Sequence, residues 1–175
     1  MRKLLSALVV LCFCLLTLGF GQTTGPVEGA NILTNSSFEQ GVYSPASLPD
    51  DWSWDTFNPT AIHTWDQRES KTGNRSVKIT SATPNDARWI QNVPVEQNKP
   101  YSLSGWVKTE NVGHSSESVD LGANISLLGG FTHSPGILGT TDWKRTGVLF
   151  NSGSNQQVTV AARLGFFSGT TTGTA

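Results

Sequence analysis

The chain has 175 residues and a formal net charge of −1. Setting aside an apolar leader leaves roughly 150 residues, enough for one domain that buries about two-thirds of its unfolded surface. No basic run or stripe is present, which argues against nucleic acid as a partner. Gly, Ser, Thr, Asn and Trp are plentiful and Lys and Glu sparse, a composition of strands and turns rather than helices.

Residues 1–21 open on Arg2 and Lys3 and continue as an apolar run from Leu4 to Phe20, the pattern of a secretory signal cleaved near Gly21. An uncleaved anchor helix is the alternative. Both cysteines, Cys12 and Cys14, fall inside this segment, so the mature chain is expected to have neither a thiolate zinc site nor a cysteine nucleophile. Residues 22–30 are Gly/Thr/Pro-rich and read as a linker. The expectation is a secreted monomer with no membrane contact beyond the leader.

From Asn31 onward, strand-like segments fall at 31–33, 38–39, 52–54, 61–65, 76–80, 88–95, 101–108, 119–127, 143–150 and 158–166. Turn chemistry at 71–74, 83–86, 98–100 and 152–155 separates them. No window of the mature part carries a helical apolar period. The pattern predicts an all-β fold, a β-sandwich or jelly roll of two antiparallel sheets over 31–175. The Thr/Gly-rich end, 169–175, reads as loop, so a closing strand is expected to be missing.

The clearest strand is 101–108. Tyr101, Leu103, Gly105 and Val107 share one side, and Ser102, Ser104, Trp106 and Lys108 the other. The first set suits a core. The second is a row of small polar groups with one large aromatic, suited to a sugar-lined groove or to an ordinary half-exposed strand. The same parity puts Asp120, Asn124 and Ser126 on the outer side of 119–127 and Arg163 on the outer side of 158–166. Trp106, Asn124 and Arg163 are therefore expected on one face.

Sugar recognition needs aromatic faces for C–H surfaces and planar polar groups for hydroxyls. Six Trp residues make the chain rich in the first. Trp52 divides evenly between core and groove, Trp143 reads as core, and Trp89 and Gln91 share a face with Val93 and read as half-buried. His63, His114 and His133 are dispersed without metal-ligand spacing. No nucleophile elbow is present, and Asp50, Asp51 and Asp55 read as solvated loop acids.

Six blocks in order resemble the carbohydrate-binding modules of families 4, 9 and 22, which are galactose-binding-like β-sandwiches. They are Asn31-Ile-Leu-Thr-Asn-Ser-Ser-Phe-Glu-Gln-Gly41, Leu48-Pro-Asp-Asp-Trp52, Lys71-Thr-Gly-Asn-Arg-Ser-Val-Lys78, Trp89-Ile-Gln91, the 101–108 strand, and Thr141-Asp-Trp-Lys144 with Phe150. The resemblance implies a concave sheet face that binds a polysaccharide or oligosaccharide, here through Trp106, Trp52, Asn124, Arg163, Trp89 and Gln91. It also implies a structural calcium ion held by the Glu39 carboxylate and the carbonyls of Lys71 and Gly73, weakened by the absence of the family's terminal Asp strand. A secreted, non-catalytic sugar-binding module is the first reading. A structural or adhesive sandwich without a sugar site and a small glycan hydrolase are the alternatives.

Overall fold

The computed structural model describes residues 29–175 apart from Tyr43, Pro45, Ala46, 115–120 and Ser168. The predicted leader, all but the end of the linker, and Asp120 lie outside the described residues. Ile32–Ala175 forms one compact unit.

Among the described residues there are nine strands and no helix: β1 (Ser53–Thr56), β2 (Ile62–Asp66), β3 (Ser76–Asn85), β4 (Ala87–Pro94), β5 (Pro100–His114), β6 (Ala123–Leu127), β7 (Gly139–Asn151), β8 (Gln157–Leu164) and β9 (Thr171–Thr174). They build a four-stranded sheet ordered β1-β4-β8-β6 and a five-stranded sheet ordered β2-β3-β9-β5-β7. Every neighbouring pair is antiparallel. This is the expected all-β sandwich.

Period-two alternation decides what lies between the sheets. Ile79, Leu103 and Val112 come from the five-stranded sheet, and Ala87, Trp89, Val93, Ala123, Ile125, Val160 and Leu164 from the four-stranded one. Burying each Leu or Ile contributes about 1.5–3 kcal/mol. Gly105 faces the other sheet: a Cβ there would lie 2.9 Å from Ile125 Cδ1, so a larger residue would make the Ile125 side chain shift. The parity read for 101–108 holds, with Leu103 buried and Trp106 about half exposed at 49%.

Three expectations are corrected. The entry segment is not strand. Asn35 and Phe38 adopt left-handed φ of 44° and 61°, so 31–39 turns instead of extending. Asn35 holds that turn: its Nδ2 donates to the carbonyls of Gln40 and Asp50, and its Oδ1 accepts the Gln40 N–H. The 83–86 segment is not an isolated turn, because β3 runs on to Asn85. The Thr/Gly-rich end is not loop. Residues Thr171–Thr174 are β9, inserted between β3 and β5. Gly173, at φ 117°, allows this, since a Cβ would sit 2.7 Å from both Asn111 O and Val112 Cα.

Strands β1 and β2 are edge strands of different sheets. Trp54 stacks on His63, with centroids 4.7 Å apart and planes 14° apart, and His63 meets Trp89 edge-on at 5.7 Å. His63 Nε2 is buried without a partner. Desolvation lowers the His63 pKa to about 4, although nearby Asp55 acts to raise it. The unfolded chain, with its ordinary His pKa of about 6.5, therefore binds more protons than the folded one in this interval. Stability should be fully present above pH ~6.5 and fall as pH drops from there toward 4. Urea midpoints measured between pH 7 and 4.5 should show this decline, and His63→Phe, which keeps a ring against Trp54, should flatten it. An equal decline in the variant would assign the effect elsewhere.

Candidate functional site

Strand register draws a polar line across the outer face of the four-stranded sheet. Asp55 on β1 lies opposite Arg88 on β4, Arg88 opposite Arg163 on β8, and Arg163 opposite Asn124 on β6. Two arginines on adjacent strands repel unless an anion stands between them. Asp86, one residue before β4, supplies it. Arg163 donates from Nε and Nη2 to the two Asp86 oxygens, at 2.6 Å each, and Arg88 Nη1 donates to Asp86 Oδ2 at 2.8 Å. Arg88 turns its other edge to Asp55, donating from Nε at 3.0 Å and also from Nη2 to Oδ2.

The four charges therefore alternate and cancel. They are also graded in depth: side-chain exposure is 2% for Arg163, 5% for Asp86, 18% for Arg88 and 48% for Asp55. The hydrogen bond from Arg88 is the main reason the Asp55 carboxyl is held below the usual carboxylate range, against a smaller opposing effect of burial.

Aromatic walls flank this floor. Arg163 Cζ lies 4.0 Å over the fully buried Phe166 ring. Phe167 packs on Phe166 at 4.4 Å, and Phe131 packs on Phe167 at 4.9 Å. Phe57 stands at the other wall. Its N–H donates to the Asp86 carbonyl, and the Asn85 side chain anchors its flanking residues Thr56 and Asn58. The result is a cleft of about 640 Å³, with Asp86, Arg88 and Arg163 below, Thr56 and Phe57 on one side, and 128–131 with Phe167 on the other. Phe57, Phe131 and Phe167 are exposed, a cluster of apolar surface of the kind that marks binding sites.

Most residues expected in the groove lie elsewhere. Trp52 is buried against Phe38, with its Nε1 donating to Asn35 O at 3.2 Å. Trp89 is in the core, with its Nε1 donating to Lys78 O. Gln91 is buried and clamps the entry segment, bonding Thr34 N and O and Asp51 O. Asn124 and Arg163 do share one outer face, as parity predicts. Asn124 is nevertheless buried, with its Nδ2 donating to Leu121, Gly122 and Gly165 carbonyls.

Trp106 does not join Asn124 and Arg163. Strand β5 pairs with β7 and β9 rather than with β6 or β8, so Trp106 faces outward from the five-stranded sheet, with Lys71 Nζ 4.5 Å from its ring centroid. Trp143 is half-buried on β7.

Glu39 reaches the turn that carries Lys71 and Gly73. Glu39 Oε1 accepts the N–H groups of Asn74 and Arg75, at 2.8 Å each, and the Gly73 carbonyl accepts the Ser70 hydroxyl. Calcium needs six to eight converging oxygens. Amide N–H groups face the carboxylate here, and no group of three or more His, Cys, Asp or Glu suited to a metal occurs among the described residues. Glu39 Oε1 is held by two backbone N–H bonds. They fasten the entry segment to the turn.

Asp55, Phe57, Asp86, Arg88, Phe131 and Phe167 escaped the sequence reading. Asp55 reads in the sequence as a solvated loop acid, and Asp86 only as the end of the 83–86 turn. The outward parity of Arg88 on 88–95 was available as a signal, and it pairs naturally with the outward Arg163. Removing the charge between the two arginines should be costly: Asp86→Ala should lose about 3–5 kcal/mol by leaving Arg163 buried without its anion. Urea denaturation should show that Arg163→Met added to Asp86→Ala restores part of the loss. Two additive losses would show that the pair does not couple.

A scan against protein-family models finds no matching family, and a search of curated proteins finds no similar protein.

Proposed function

We propose that the chain is a secreted, non-catalytic carbohydrate-binding module of the type its motifs resemble, with a jelly-roll sandwich that holds an oligosaccharide or polysaccharide segment in the cleft over Arg88 and Arg163. The observation that carries this reading is a charge-compensated polar floor set between exposed phenylalanine walls. A sugar hydroxyl both donates and accepts, so it suits a floor where guanidinium and carboxylate alternate. The apolar C–H face of a pyranose suits Phe57, Phe131 or Phe167.

The acids beside the cleft support binding over catalysis. A glycosidase needs a carboxyl kept protonated by a raised pKa to act as the general acid. Asp55 is shifted the other way, and Asp86 spends both oxygens on arginines. Affinity should be modest, because an open cleft desolvates little and each hydroxyl bond replaces one to water.

Calorimetric titration with β-glucan, xylan and mannan oligosaccharides tests the reading. At least one should bind, and Phe57→Ala and Phe131→Ala should each weaken it about tenfold, or ~1.4 kcal/mol. Trp106→Ala should leave affinity unchanged. Loss of binding with Trp106→Ala alone would move the site to the five-stranded sheet. No binding of any glycan would favour a structural or adhesive sandwich, and release of shortened products would favour a hydrolase.

A further inference from the structure

We propose that Asp55 sets the selectivity of the cleft, keeping it matched to uncharged glycans and closed to acidic ones; this rests on the glycan-binding reading above. The guanidinium is a planar fork that fits a carboxylate or sulfate with two parallel N–H bonds. Arg163 has no such fork to offer, because its Nε and Nη2 are held by Asp86 and its side chain is 98% buried. Arg88 is the shallower of the two cations lining the cleft, and with its Nη1 held by Asp86 the fork left to it is Nε/Nη2. Asp55 occupies that edge with Oδ2, while its Oδ1 accepts the Thr56 N–H.

Asp55 is the most exposed of the four charges and the last on the line, placed at the sheet edge on β1. It bonds neither Asp86 nor Arg163 directly and reaches that buried pair only through Arg88. Asp55 does not line the cleft itself, but a ligand carboxylate approaching Arg88 from the cleft meets a guanidinium already neutralised and the Asp55 charge behind it. A hydroxyl meets no such barrier. Without the Asp55 charge, the line carries one net positive charge and Arg88 regains a free bidentate edge.

The experiment uses the full chain as wild type, Asp55→Asn and Asp55→Glu. Each is titrated calorimetrically with the neutral oligosaccharides above and with oligogalacturonate, at low and at high salt. Wild type should bind a neutral oligosaccharide at least tenfold more tightly than oligogalacturonate. Asp55→Asn should shift that ratio about tenfold toward the acidic ligand, and the gain should fade at high salt, as an ionic contact requires. Asp55→Glu, which keeps the charge, should retain the wild-type preference. Asp55→Ser replaces Asp55→Asn if thermal melting shows that the latter is not folded. Equal affinity of wild type for both ligands, or an unchanged ratio in the folded neutral variant, overturns the proposal and leaves the glycan-binding reading standing. Failure of wild type to bind any glycan removes both.

Discussion

The salt bridge between Asp86 and Arg163 is the interaction on which the four-stranded sheet's outer face depends. An arginine whose side chain is only 2% exposed is tolerable only with its fork filled, and Asp86 fills it with both oxygens. That demand fixes the chain around Asp86. Asp86 O receives the Phe57 N–H, Asn85 ties down Thr56 and Asn58, and Phe166 lies against the open face of the guanidinium. One wall of the cleft, its floor and the base of the other wall therefore follow from the pairing of a single buried cation.

A second set of polar side chains performs the same task for the entry segment. Asn35 and Gln91 are buried, and both bond backbone groups that no strand partner satisfies. Trp52 and Trp65 add their indole N–H groups to Asn35 O and Phe38 O. These aromatics serve as wedges with one polar tip. Six tryptophans thus do not make six sugar platforms: a sandwich whose first segment is irregular needs large side chains to fill the gap and N–H groups to satisfy its carbonyls.

Much of the fold was legible because strand periodicity is local. The inward set Leu103, Gly105 and Val107, the inward set on 158–166, and the outward positions of Trp106, Asn124 and Arg163 could all be read from alternation. Which strand lies beside which could not, since pairing joins residues far apart in the chain. Trp106 was grouped with Asn124 and Arg163 on parity alone, and they lie on different sheets. Strand β9 was hidden because Thr-Thr-Gly-Thr lacks an apolar alternation. Its place between β3 and β5 is set by the close backbone approach that Gly173 allows. Asp86 was hidden because its partner lies 77 residues away, and a turn acid with a remote buried partner looks like any solvated acid.

The position of β9 bears on how the chain acquires its structure. It lies inside the five-stranded sheet, hydrogen-bonded to β3 on one side and β5 on the other, yet it is last of the nine strands in sequence. During synthesis from the N-terminus, β3 and β5 must wait with unpaired edges until residues beyond 170 have emerged. Such a nascent chain has a built-in delay. The β2–β3 hairpin can form early and β5 pairs with β7 once residues 139–151 have emerged, but the two pairs become one sheet only when β9 docks between them. Up to that moment β3 and β5 present two edges, beyond those the finished sheets keep, to which another chain can add.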